Sequence, residues 1–178
     1  MENSASHPPF PVLQKDDEAV LNQINAILTN RLTGDPYSTD GSFAANLDQL
    51  PPGLRAMAAT HWLDISLTLD SITWPFGNFG EPRLVEQTEQ GLKELGLDDL
   101  AQCFREAAEL IIPFIARHAH SELTPSELFK QDEIKDQVQQ LDDRAWELNG
   151  IITQSDSAIY AAWVRYARAH PERIFAPA

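Results

Sequence analysis

The stretch Asp98-Asp99-Leu100-Ala101-Gln102-Cys103-Phe104-Arg105-Glu106-Ala107-Ala108-Glu109-Leu110-Ile111-Ile112-Pro113-Phe114 decides the fold class. Its apolar residues Leu100, Cys103, Phe104, Ala107, Leu110, Ile111 and Phe114 recur every three or four positions, the period of a helix with one buried face. Gly96 stands where a C′ glycine closes the preceding helix, and Asp98 reads as the N-cap of this one. Pro113 predicts a kink or a break, because it lacks the N–H that a helix interior uses.

The same pattern extends in both directions. On the N-terminal side, Pro82 to Leu95 reads as a helix. Another is expected from Pro51-Pro52 to a stop before Trp74-Pro75, with Leu54, Met57, Ala58, Trp62, Ile65 and Leu69 at helical spacing. A first helix from Asp16 to Leu32 carries Val20, Ile24, Ile27 and Leu28 as its stripe, with three acids in the first turn where the dipole favours them. Between those two, Gly34 to Leu50 reads as a loop with a short helical turn. On the C-terminal side, Thr124-Pro125-Ser126-Glu127 is a capping box opening a helix expected to reach Leu148, before Asn149-Gly150. A last helix runs from Ser155 to His170, with Ile159, Trp163 and Tyr166 inward and Pro171 as its stop.

Two-residue alternation is absent, so the expected architecture is all-α: one domain, a bundle of about six helices without significant sheet. Residues 1–14, with three prolines and no apolar run, are expected to form a flexible tail before a domain spanning 15–178. No secretory leader and no apolar run of membrane-spanning length is visible, and the single Cys103 excludes an intrachain disulfide. A cytoplasmic protein with a buried, inert thiol is the expectation.

Charge points to the class of partner. Thirteen Lys and Arg against 27 Asp and Glu give a formal net charge of −14. Phosphates would repel such a chain, so direct nucleic-acid or anionic-membrane binding is disfavoured and a basic partner favoured. Most of the excess falls between Asp64 and Glu147. Asp132, Asp136, Asp143 and Glu147 would share one face of the fifth expected helix, with Glu133 beside them. That helix would rise about 22 Å at ~1.5 Å per residue, a length of duplex DNA holding roughly 13 phosphates at one per ~1.7 Å. Four or five carboxylates do not match it. Imitation of DNA would need Glu86, Glu89, Glu94, Asp98, Asp99, Glu106 and Glu109 from neighbouring helices, or a second copy of the chain. A solvated bundle surface remains the competing reading.

Catalytic signals are weak. No nucleophile elbow, phosphate loop, HExxH or CxxC pattern occurs, and carboxylates in an acidic chain carry no catalytic specificity. His118 and His120 would point apart on a helix, and His61 near Asp64 reads as a hydrogen bond or ion pair. No enzyme, metal or cofactor is expected. The aromatic loop Trp74-Pro75-Phe76-Gly77-Asn78-Phe79 leaves two readings open: Trp74, Phe76 and Phe79 plug the bundle, or they stand exposed as anchors for a protein.

Three stretches together resemble the DNA-mimic-protein-like family, a domain of unknown function. They are Leu50-Pro51-Pro52-Gly53-Leu54-Arg55 leading to Trp62-Leu63-Asp64; Gly77-Asn78-Phe79-Gly80 with Gly91 to Gly96 and Ala101 to Leu110; and Leu141-Asp142-Asp143-Arg144-Ala145-Trp146-Glu147-Leu148, then Tyr160, Tyr166 and His170 to Phe175. The resemblance covers roughly Leu50 to Phe175. Where the family carries an Asn-Gly-Gly-Phe run, this chain has Leu69-Asp70-Ser71-Ile72, and a partner touching that run would differ. The resemblance implies an all-α fold, a homodimer and an acidic surface that occupies a DNA-binding protein. Related domains resemble immunity or antitoxin components. The expected role is a non-enzymatic acidic protein binding a basic partner, with a toxin inhibitor acting through the aromatic loop as the alternative.

Overall fold

The computed structural model describes residues 15–78, 82–150 and 157–175. The expected tail at 1–14, the ring of Phe79 and the expected helix start at Ser155 lie outside them. Among the described residues, α1 (Asp17–Arg31), α2 (Ser42–Asp48), α3 (Pro52–Leu69), α4 (Trp74–Asn78), α5 (Pro82–Glu94), α6 (Asp98–Arg117), α7 (Pro125–Leu128), α8 (Lys135–Asn149) and α9 (Ala158–Ala169) follow in order, and a 3₁₀ turn spans Pro171–Arg173. No strand occurs among them. The fold is all-α: six long helices, as the periodicity predicts, with three short ones in the connections.

The central element is α3, against which α1, α2, α4, α5, α8 and α9 all pack. Small residues make this crowding possible. Gly91 of α5 lies so near α3 that a Cβ there would sit 2.9 Å from the Ala56 carbonyl oxygen. Beside it, Thr88 Oγ1 donates to the Ala59 carbonyl at 3.1 Å. The indole of Trp163 on α9 is fully buried and donates through Nε1 to Thr60 Oγ1 at 3.0 Å. Because α3 is covered on most sides, its apolar residues do not form one stripe. The expected phase therefore fails at its end: Leu69, predicted inward, is 79% exposed.

Four local expectations are corrected. First, Asp98 does not cap α6. Gly96 at φ +74° ends α5 in a Schellman turn, with Leu97 N–H on the Leu92 carbonyl and Gly96 N–H on the Lys93 carbonyl. Leu97 thus serves both as the last residue of that turn and as the N-cap of α6, leaving Asp98 and Asp99 in the first turn. Second, α6 continues through Pro113 to Arg117. Pro113 and Glu109 are both exposed, so the carbonyl that Pro113 leaves unbonded is on the solvent side.

Third, the capping box at Thr124 is present, but its helix ends at Leu128 and a separate α8 starts at Lys135. Leu128 and Ile134 are both buried, yet a continuous helix would set them about 120° apart at 3.6 residues per turn. The intervening turn brings both inward. Asp132 and Glu133 consequently lie in that turn and not on the helix. Fourth, the expected aromatic loop holds the short helix α4.

Candidate protein-binding surface

Of the expected acidic contact residues, all but Asp132 and Glu133 lie on three neighbouring helices. α5 and α6 run antiparallel, with Arg105 of α6 3.9 Å from Glu89 of α5. α8 runs antiparallel along the other side of α6: Cys103 Sγ meets the Leu141 carbonyl, Arg144 pairs with Glu106 at 2.6 Å, and Arg117 pairs with Glu133 at 2.9 Å. Together the three helices carry eleven carboxylates against six lysines and arginines. On α8, Val138, Ala145 and Asn149 face the core. Asp136, Asp143 and Glu147 are all exposed and stand on the opposite side, grouped within about 40° at 100° per residue. Asp98 and Glu109 of α6 are likewise exposed, away from its buried stripe.

These carboxylates are not equivalent. Asp132 is tied to Lys135 at 2.5 Å, Glu133 to Arg117, and Glu89 to Lys93 at 2.5 Å. Glu94 accepts a hydrogen bond from the Tyr166 hydroxyl and pairs with Arg173 at 2.5 Å, so it ties α5 to the C-terminal segment. Burial and Glu94 together raise the Tyr166 phenol above its ordinary pKa. Among the described residues, Glu86, Asp98, Asp99, Glu109, Asp136, Asp143 and Glu147 have no cation within ion-pairing distance; Gln90 donates to Glu86 and Gln139 to Asp143. The expected face is thus divided. Arginines sit where α6 meets its two neighbours, and unpaired carboxylates stand on either side.

The three aromatic residues separate as well. Phe76 is buried and stacks on Phe104 with ring centroids 5.0 Å apart, so it belongs to the packing. Trp74 is half-buried, edge-to-face with Tyr37 at 5.7 Å. Trp146, 55% exposed on α8 between Asp143 and Glu147, was not singled out as a contact residue. Its signal in the sequence is a tryptophan one position outside the apolar phase set by Val138 and Ala145.

Behind this surface lies a buried polar seam. Asp64 is fully buried, and its Oδ1 accepts from Asn149 Nδ2 at 3.0 Å. Asn149 Oδ1 in turn accepts the Ile159 N–H at 3.1 Å, joining α3, α8 and α9. Among the described residues, the buried Asp64 Oδ2 has no hydrogen-bond partner. Burial raises the Asp64 carboxyl above its ordinary pKa, with hydrogen bonds from Ser157 and Asn149 opposing the shift. His61, one turn earlier, shares a hydrogen bond with the Tyr160 hydroxyl at 3.0 Å, and burial lowers its pKa. It does not pair with Asp64. Cys103 is buried as expected, and burial pushes its thiol up to about 11. His118 is bound to the Phe114 carbonyl at 2.9 Å. Among the described residues, no group of three His, Cys, Asp or Glu could hold a metal ion, and no helix is long and apolar enough to cross a membrane.

Residues 48–170 match the family model described as DMP19-like protein. The chain belongs to that family. The matched range takes in α3 to α9, and with them both the three acidic helices and the polar seam. No curated protein and no solved structure matches the chain.

Proposed function

We propose that this DMP19-like protein acts without catalysis, by presenting the outer carboxylates of α5, α6 and α8 to the nucleic-acid-binding surface of a basic protein. The observation that carries the reading is the set of unpaired carboxylates on adjacent antiparallel helices, Asp136, Asp143 and Glu147 beside Asp98 and Glu109. From Asp136 to Glu147 is about 17 Å of helix at ~1.5 Å per residue, where duplex DNA would carry roughly 10 phosphates. Three carboxylates on one helix fall well short, and α5 and α6 narrow the gap without closing it. A homodimer that set two such faces side by side would narrow it further. Attraction of this kind acts over a Debye length, speeds encounter and weakens as salt rises. The alternative, a toxin inhibitor using the aromatic segment, loses Phe76 to the core.

The test is capture from the native cell on the immobilised protein, eluting first with salt and then with duplex DNA. DNA-binding proteins should elute in both. The triple variant Asp136→Lys, Asp143→Lys, Glu147→Lys should retain roughly tenfold less of them, since removing close charge pairs costs about that much. Retention that ignores salt, DNA and the variant overturns the reading.

A further inference from the structure

A cleft of about 540 Å³ opens on the other flank of α8, bounded by the end of α3, by α4, by α7 and by the turn between α7 and α8. Its size is that of a small-ligand site. Trp74, Pro125, Phe129 and Val138 supply apolar wall. Close packing sets its shape: a Cβ on Gly77 of α4 would lie 2.9 Å from Pro125 Cβ, so only glycine lets α4 approach α7 this closely.

The cleft is electrically polar from end to end. Lys130 and Lys135, two of the four lysines in the whole chain, line one end. Asp70 and Asp142 line the other. Lys135 and Asp142 are seven residues apart on α8, two turns and about 10 Å along the axis at ~1.5 Å per residue. They share a face yet are too far apart to neutralise each other. Lys135 is already engaged by Asp132, whereas among the described residues no carboxylate lies within ion-pairing distance of Lys130. At the opposite end Asp142 is half-buried; its Oδ1 takes the Ile72 N–H at 2.7 Å, and burial together with the like charges of Asp143 and Asp70 raises its carboxyl above the ordinary range. Lys130 at one end, with Glu127 of α7 as the charge that acts on it, and Asp70 and Asp142 at the other thus have no ion-pair partner among the described residues.

We propose that this cleft binds a short zwitterionic peptide segment, its carboxylate toward Lys130 and Lys135, its cationic group toward Asp70 and Asp142, and its apolar side chain against Trp74 and Phe129. Two or three extended residues span about 7–10 Å, which matches the separation of the two ends. The segment would run antiparallel to α8. A free peptide and the C-terminal tail of a protein share this chemistry. They differ in the cation, an α-ammonium in the first and a lysine or arginine side chain in the second.

The experiment titrates three probes into the full-length protein and follows the tryptophan indole N–H signals by NMR, with Trp74→Phe assigning the reporter. Ala-Leu-Leu with free ends tests the free peptide, acetyl-Arg-Leu-Leu with a free carboxylate tests the protein tail, and acetyl-Ala-Leu-Leu-amide lacks both charges. A charged probe should shift Trp74 and leave the buried Trp163 in place, with the uncharged probe roughly ten- to a hundredfold weaker, as expected for losing hydrogen bonds to charged groups. Lys130→Met should remove the advantage of the carboxylate. Asp142→Asn keeps an acceptor for the Ile72 N–H and should remove the advantage of the cation. Whichever charged probe binds more tightly identifies the source. Equal binding of charged and uncharged probes, no response of Trp74 at millimolar peptide, or indifference to both variants in folded protein overturns the proposal. Asp136, Asp143 and Glu147 do not line the cleft, so loss of protein retention on their reversal and loss of peptide binding in Lys130→Met or Asp142→Asn are separate outcomes.

Discussion

Asp143 and Asp64 are the same residue type in the same molecule, and they illustrate two opposite uses of charge. Asp143 stands exposed on the outer side of α8, where it accepts a hydrogen bond from Gln139. Asp64 is shut inside the junction of α3, α8 and α9, held by Asn149 and Ser157, and among the described residues its Oδ2 has no partner. Water screens the first, so its charge shapes what approaches the molecule and contributes little to folding. The second is cut off from water, so its partners decide whether the fold tolerates it. The outer carboxylates are therefore free to serve recognition, and the inner one is bound to architecture.

Removing the partner at the inner site should produce the largest effect. Asn149→Ala orphans the buried Ile159 N–H and takes one hydrogen bond from the buried Asp64 carboxyl, which keeps Ser157. At ~1–3 kcal/mol for the orphaned N–H and ~1.5–3 kcal/mol for a hydrogen bond to a charged group, the expected loss is roughly 2.5–6 kcal/mol, a large share of the stability of a domain. Urea unfolding of the variant measures it. A loss no greater than that of an exposed substitution would mean that the seam is hydrated, and the contrast with the surface would dissolve.

A smaller effect of the opposite sign is expected from Asp64→Asn, which keeps an acceptor for Asn149 and removes the ionisable group. The folded-state pKa of Asp64 is raised, so the folded chain holds the proton more tightly than the unfolded chain. The stability this gives is fully present below the unfolded carboxylate pKa, near 4, and is lost as pH rises through the folded value. The variant should thus match the wild type in acid and exceed it in Tm at neutral pH, the gap opening as pH rises. His61 shifts the other way: its lowered pKa makes the fold less stable as pH falls below its unfolded pKa of about 6.5. That contribution is common to both proteins and cancels in the difference. A Tm difference independent of pH would show that Asp64 does not titrate with folding.

How far the sequence reaches follows the same division. Helix period identifies α1, α6 and α9, and end signals identify the start of α1 and the glycine turn at Gly96, because those features act within a few residues. The junction between α7 and α8 was not legible, since it depends on Leu128 and Ile134 both finding the core. Asp64 was counted with the acidic excess because nothing local distinguishes it from Asp143. Its only trace is its position one turn beyond Thr60 in α3, a helix whose apolar pattern is blurred by being covered on most sides. The acidic residues were legible as residues but not as a surface. Which of them an arginine on a neighbouring helix would claim is a property of packing, as Glu106 with Arg144 and Glu89 with Arg105 show.

The smallest expected change in stability closes the comparison from the outside. Reversing Asp136, Asp143 and Glu147 to lysine alters charges that face water and, among the described residues, pair with no cation, so the variant should unfold within about 2 °C of the wild type. Relief of like-charge repulsion along α8 acts in the stabilising direction, and lost favourable interaction with the helix dipole at Asp136, in the first turn, acts against it. Both terms fade in salt, which makes the result readable: a Tm gap that persists at high salt would mean these side chains carry packing as well as charge. A gap that vanishes, together with weakened retention of basic proteins at low salt, would leave recognition as the use of that face. Differential scanning calorimetry of both proteins across a salt series distinguishes the two outcomes.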